Sequence, residues 1–178
     1  MTILIPMSTD DFQVFAKESV PLFAAEKIVS GQWAESEALA PAQKSFDEGL
    51  PQGLATPDNY LFSIHDEVAK INIGMIWIAA QDRGGKRIAN LYEIKINPEH
   101  QRQGHATRAL NALEVKVGEL GLSGIALHVF GHNIAAQALY VKLGYLPTNI
   151  NMFKTVSAAG AIAVCRAAEA DSAAEAPH

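Results

Sequence analysis

The chain has almost no cysteine: one residue, Cys165, stands among 178. With that count neither a disulfide framework nor a cysteine-rich metal site can form within one chain. Basic charge is also short, with 14 Lys and Arg against 19 Asp and Glu and a formal net charge of -5. Non-specific binding to nucleic acid or to an anionic membrane needs a basic face, so both are disfavoured, and a basic partner fits better. Long hydrophobic runs are missing too. The longest, residues 71–80, is interrupted by Asn72 and falls well short of the roughly 20 residues of a membrane span. The opening M-T-I-L-I-P-M has no cationic region and too short an apolar run for a signal peptide. These absences lead to the expectation of a soluble cytoplasmic protein. A single domain is expected over residues 1–156, long enough to bury a sizeable core.

What is present is organised around N-L-Y-E-I-K-I-N-P-E-H-Q-R-Q-G-H-A-T-R-A-L, residues 90–110. A strand-like run over 91–97 enters a turn at Pro98, passes through Q-R-Q-G-H-A, and continues into a helix with Leu110, Leu113, Val117 and Leu120 at three- and four-residue spacing. The first N–H groups of a helix have no partner within it and lie at the positive end of its dipole, so such a junction can hold phosphate. Gly104 allows close backbone approach and Ala106 keeps the first turn slim. A plain packing turn containing a glycine reads the same way at this level.

Elsewhere the pattern is mixed α/β. Ser8 and the acids Asp10 and Asp11 offer N-cap chemistry before a helix with Phe12, Phe15, Ala16, Ser19, Val20 and Phe23 on one face. Pro21 threatens to bend that helix, and Ser30 with Gly31 should end it. A second helix is expected around 34–48, with Pro41 against it. After a loop at 49–59, strands at 60–64, 68–79 and 88–97 should form an antiparallel meander, the last two joined by a turn at 81–85. A further strand over 124–130 must lie parallel to the 91–97 strand for the intervening helix to pack on the sheet. Asn133 or His132 then caps a helix ending at Gly144, and residues 151–156 read as a final strand. From Ser157 the sequence is alanine-rich and loses periodicity, as a flexible or partly helical tail would.

Two segments in this order resemble the GCN5-related N-acetyltransferase (GNAT) superfamily. Gln101, Gly104 and Ala106 fill its pyrophosphate-loop pattern, and Asn133, Ala136, Leu139, Tyr140, Gly144 and Tyr145 match its N-x-x-A-x-x-L-Y-x-x-x-G-Y stretch. The resemblance covers about residues 60–154, in the manner of a small bacterial member. It implies a GNAT fold: a mixed central sheet of about six to seven strands, helices on both faces, and a splay between the two parallel central strands. It further implies acetyl-CoA as co-substrate, no metal, and transfer of the acetyl group to a primary amine by direct attack in a ternary complex. Residues implied in cofactor binding are Ile94, Lys95, Ile96, Gln101, Arg102, Gln103, Gly104, His105, Ala106, Thr107 and Asn133.

Acetyl transfer from a thioester asks for aligned reactants, a base for the ammonium and a proton for the departing thiolate. Relatives place a tyrosine near the coenzyme A sulfur, which makes Tyr140 the candidate acid; a tyrosine packed at the helix–sheet boundary is the structural alternative. Glu93 is the candidate base if burial raises its pKa. Strand alternation puts it opposite Tyr92 and Ile94 and on one face with Leu91 and Lys95, and a solvent-facing pair with Lys95 is the competing reading. Asn133 serves as helix cap with or without a pantetheine role. His100 and His105 read as exposed rather than as metal ligands, Arg102 and Lys95 as phosphate-reaching or solvated, and His128 as a satisfied core histidine. Trp33 and Glu35, with Glu26 and Gln32 nearby, lie in the connection that closes over the acceptor in relatives; Trp33 could attract a cation or sit in the core.

The acceptor is therefore expected to be a small-molecule or peptide amine, with no nucleic-acid or membrane partner and with a homodimer left open. A non-catalytic acyl-CoA-binding regulatory domain on the same fold is the alternative, and it would be expected to lack Tyr140 and Glu93. A nucleotide-phosphate enzyme would want Lys followed by Ser or Thr after the loop glycine, where this chain has His105 and Ala106.

Overall fold

The computed structural model describes residues 1–156; the tail expected over 157–178 lies outside them. Strands β1 (Thr2–Pro6), β2 (Asn59–Asp66), β3 (Ile71–Arg83), β4 (Lys86–Ile96) and β5 (Ile125–Leu127) form one sheet in the order β1-β2-β3-β4-β5. Helices α1 (Thr9–Val29) and α2 (Leu39–Gly49) precede β2, α3 (His105–Glu119) joins β4 to β5, and α4 (Ile134–Lys142) follows. The first four strands pair antiparallel and β5 pairs parallel with β4. This is the meander and crossover that the pattern predicts. Among the described residues the sheet has five strands rather than six or seven.

Alternation assigns the two faces. Ile64, Ile76, Ile78, Leu91 and Ile96 pack with Leu110, Leu113 and Val117 of α3, and Leu139, Tyr140 and Leu143 lean on the same cluster. On the other face Leu61, Met75 and Trp77 pack with Phe15, with Phe46 of α2 partly buried against them. Val20, Ala24, Ala38 and Ala42 join α1 to α2, small residues that let the two helices approach closely. The Ser8 hydroxyl accepts from the Asp11 N–H, the cap expected of it, and α1 runs through Pro21 to Ser30. The second helix starts only at Leu39, after a 3-10 turn at Glu35–Glu37, so Pro41 falls in its first turn, where no N–H partner is lost.

One element is added and two expectations are corrected. Thr2–Pro6, to which the sequence pattern assigns no element, is an edge strand. His128 is exposed beyond the short β5, edge-on to Phe130, and not a core histidine. Residues 151–156 form no strand: Met152 and Phe153 are 92% and 93% exposed, and an extended run without a ladder partner has no hydrogen bonds to fix it. The chain divides into two units, Met1–Gly144 and Tyr145–His178, and all the helices and strands above belong to the first. Among the described residues no helix is long and apolar enough to cross a membrane.

Candidate active site at the splayed end of β4

Two irregularities in β4 create the site. Its pairing with β5 is confined to Ala89–Ile125, Asn90–Ala126 and Leu91–Leu127, while β4 continues to Ile96. Beyond Leu91 the β5-side edge of β4 therefore has no strand partner among the described residues. On the other edge Leu91 pairs with Ile78 but Glu93 pairs with Trp77, so Tyr92 is an extra residue, a β-bulge. The bulge resets the alternation. Leu91 joins Ile94 and Ile96 on the α3 side, while Tyr92 stacks on Trp77 at 4.6 Å. Glu93 and Lys95, opposite Trp77 and Met75, take the α1 side. Leu91 is thus not on the face of Glu93, contrary to simple alternation.

Gly74 lets β3 approach the end of β4 closely. It stands opposite Ile96, and a Cβ there would overlap the Lys95 carbonyl oxygen. The end of β4 is held at that closeness and its last residue is then anchored by the loop, where the Gln101 side-chain amide donates to the Ile96 carbonyl at 2.9 Å.

The loop that follows is shaped for an anion. Arg102 (φ 61) and Gly104 (φ 79) both adopt left-handed backbone conformations, steps that build concave arrangements of N–H groups. Among the described residues no acceptor satisfies the N–H groups of Arg102, Gln103, Gly104, His105, Ala106 or Thr107. They open the positive end of α3, a helix of 15 residues. From beneath, Arg108 fixes the loop by donating through Nη2 to the Gln103 carbonyl at 3.0 Å and through Nε to Thr2 Oγ1 at 3.0 Å.

His105 departs from its expected exposed position. It is 6% exposed, with Nδ1 3.0 Å from both Thr2 Oγ1 and Arg108 Nη2. A guanidinium only donates, so Nδ1 accepts, which assigns the neutral Nε2–H tautomer. Burial first, and then the Arg108 charge, hold its pKa below the ordinary value. Its imidazole is a wedge between β1 and α3, and only its backbone N–H faces the loop opening. His100 is half-buried, its ring edge-on to His105 at 6.4 Å.

On the α1 side, burial raises the pKa of Glu93 above the usual carboxylate range. The Ser19 hydroxyl and the Lys95 charge pull it down, and Glu18 pushes it up. Lys95 does not pair with Glu93: its Nζ donates to Glu18 Oε2 at 2.6 Å. These two line a groove with Val14, Lys17, Pro21 and Leu22. On the α3 side Tyr140 is half-buried against the aliphatic cluster that Ile94 also joins, and burial raises its phenol pKa. Asn133 is exposed and caps α4, its Oδ1 accepting from the Ala136 N–H at 3.1 Å.

The far end of α1 meets the β5–α4 connection through side chains. Glu26 Oε2 lies 2.7 Å from His132 Nε2, and Lys27 Nζ stands over the rings of Phe23, Trp33 and Phe130 at 5.3, 5.5 and 5.6 Å. Trp33 thus does attract a cation, but it is the chain's own Lys27. Glu35 is exposed on the 3-10 turn. Sequence reasoning missed Ser19, Glu18 and Arg108 as site residues, and it placed Glu26 in the connection over the acceptor without its partner His132. Of the three, Ser19 left a signal, a hydroxyl on the apolar stripe of α1.

The geometry defines a class: a sheet opened between two parallel strands, with an anion cradle at the helix that links them. Comparison with known proteins agrees. The model of the Acetyltransferase (GNAT) family matches residues 25–145. Two N-acetyltransferases of Bacillus subtilis, both named as uncharacterized, are similar along their whole length. YdgE is 33% identical over 83% of this chain and 94% of its own, and YycN is 32% identical over 86% and 99%. The crystal structure of YycN superimposes with a TM-score of 0.83 at 30% identity, over 88% of this chain and 99% of that one. The chain belongs to the GNAT acetyltransferase family, and an acetyl-transfer activity follows from that membership.

Proposed function

We propose that the protein transfers an acetyl group from acetyl-CoA to a primary amine, with direct attack by the amine in a ternary complex. The observation that carries this reading is the run of unpaired N–H groups at residues 102–107, placed where β4 parts from β5 and flanked by Glu93 and Tyr140 on opposite faces of the sheet. The co-substrate supplies the acetyl group already activated as a thioester, so the protein needs no nucleophile of its own.

In this reading the N–H groups of Gln103, Gly104, His105, Ala106 and Thr107 hold the pyrophosphate, with Gln101 securing the loop and Arg102 exposed at its rim. The open edge of β4 at Ile94, Lys95 and Ile96 offers backbone groups to the pantetheine amides, and Asn133 offers its side-chain amide from the head of α4. Glu93 removes the proton of the acceptor ammonium, directly or through water. A carboxyl whose pKa is raised by burial is a stronger base than an ordinary glutamate. Tyr140 delivers a proton to the departing thiolate. That phenol, whose pKa burial raises further, is protonated at neutral pH, as a general acid must be.

The acceptor is proposed to be a small-molecule or peptide amine approaching along α1, with Trp33 and Glu35 at the far end of that surface. An acidic chain favours drawing in a cation. The test is thiol release from acetyl-CoA across a panel of polyamines, amino acids, aminoglycosides and peptides. Release that depends on one amine class and is lost in Glu93→Gln supports the reading. Tight acetyl-CoA binding with no release for any amine favours a non-catalytic acyl-CoA-binding domain.

A further inference from the structure

We propose that Glu18 is a positioning residue for Glu93: it holds the Lys95 ammonium on α1 and so keeps that cation off the carboxyl that takes the acceptor's proton. The inference rests on the reading of Glu93 as the base. Its geometry is independent of that reading.

Glu93 and Lys95 are two residues apart on β4, and their cross-strand partners Trp77 and Met75 lie in one buried cluster, so both side chains leave the same face. A lysine stem has the length and freedom to bring its ammonium to a carboxylate on its own strand or on the helix above. Here it goes to the helix, with Nζ 2.6 Å from Glu18 Oε2 and the Lys95 side chain 24% exposed. Without the Glu18 charge, Glu93 is the neighbouring carboxylate two residues away on the same strand face, the α1 carboxylate Asp11 being already engaged by Ser63 and Asn72 at 3.0 and 2.9 Å. An ammonium resting on Glu93 would occupy its lone pairs and stabilise its ionised form, and a carboxylate so stabilised takes a proton poorly.

The other groups around Glu93 do not supply this service. Ser19, the neighbour of Glu18 on α1, is 3% exposed and carries a neutral hydroxyl that has no hydrogen-bond partner among the described residues. Lys17 lies in the groove with Glu18 and Lys95 but is exposed. From β3 the facing side chains are Met75 and Trp77, which do not titrate, and the Tyr92 hydroxyl is engaged by the Gln81 amide at 2.8 Å. Glu18 is thus the anion placed to compete for Lys95, and its own negative charge also favours the protonated form of Glu93.

The proposal gives two variants opposite signs. Removing the anion in Glu18→Gln both frees Lys95 and deletes a repulsion, so the Glu93 pKa should fall. Removing the cation in Lys95→Met should raise it, and Lys95→Arg, which keeps a charge able to pair with Glu18, should leave it near wild type. The midpoint is read on the full-length protein by carbon-13 NMR titration of labelled glutamate carboxyls, with Glu93 assigned by its loss in Glu93→Gln. This needs no knowledge of the acceptor. Once an acceptor is found, the acid limb of kcat/KM should move in the same directions. Midpoints that move together or stay in place, or a Glu18→Gln shift that persists undiminished on a Lys95→Met background, overturn the proposal while leaving Glu93 as base. An acid limb that survives in Glu93→Gln instead overturns the base reading, and with it the purpose assigned to Glu18.

Discussion

The two faces of β4 are built from different chemistry and are held in different ways. Toward α3, aliphatic residues fill a continuous core, and the cradle beside it is fixed by backbone conformation and by Arg108 from below. Toward α1, Glu93 lies against the apolar pair Met75 and Trp77 but is also neighboured by Glu18, Ser19 and Lys95, and the charged part of that arrangement depends on the long Lys95 side chain reaching across to another element. The difference shows a division of labour. The part proposed to bind a constant co-substrate is rigid main chain, whereas the part proposed to meet the acceptor is adjustable side chain, whose contacts screen and rearrange more readily.

The comparison can be broken most severely at the cradle. Gly104→Glu places a carboxylate among the N–H groups, and the left-handed backbone there costs a non-glycine residue about 1–2 kcal/mol, too little to unfold a typical domain. Calorimetric titration should find acetyl-CoA binding abolished with the circular dichroism unchanged; wild-type affinity would remove the cradle from the account. Next in size is Gly74→Ala, whose new methyl must displace the backbone of Lys95. A loss of about 1–3 kcal/mol in denaturant unfolding is expected, as for an overpacked core.

On the α3 face Tyr140→Phe keeps the packing and deletes the proton. A fall in kcat on the order of tenfold or more, with acetyl-CoA affinity retained, is the expected result. A wild-type kcat would return Tyr140 to packing at the helix–sheet boundary. The smallest effect should come from the clasp at the far end of α1. Glu26→Gln breaks an exposed pair with His132 that is worth roughly 0.2–1 kcal/mol. Thermal stability should barely change while KM for the acceptor rises, since α1 borders the proposed acceptor groove.

The same division explains what the sequence discloses. The cradle is legible because a phosphate seat is local: Gln101, Gly104 and Ala106 sit on one junction, and the crossover from β4 through α3 to β5 follows from spacing and handedness. The α1 side is opaque because its contacts are distant in the chain. Lys95 and Glu18 are 77 residues apart, Glu26 and His132 are 106, and Thr2 reaches His105 across 103. The bulge at Tyr92 was invisible for another reason. No glycine or proline marks it, and Tyr92 needs no left-handed backbone to form it. Strand 151–156 was inferred from composition alone, and β-propensity without a partner decides little.

The central claim is that Glu93 is the base of an amine acetyltransferase, and the pH dependence of kcat/KM for wild type and Glu93→Gln tests it most directly. Burial raises the Glu93 pKa, so the rate should fall as pH drops through a midpoint above the ordinary carboxylate range, where the base becomes protonated. The same shift makes the folded protein hold that proton more tightly than the unfolded chain does. Stability linked to this group is therefore full below the unfolded pKa and lost as pH rises through the folded one. Glu93→Gln, which cannot ionise, should lose the acid limb and most of the rate while melting at a higher temperature than wild type near neutral pH. A variant with the wild-type profile, rate and melting temperature would contradict the account.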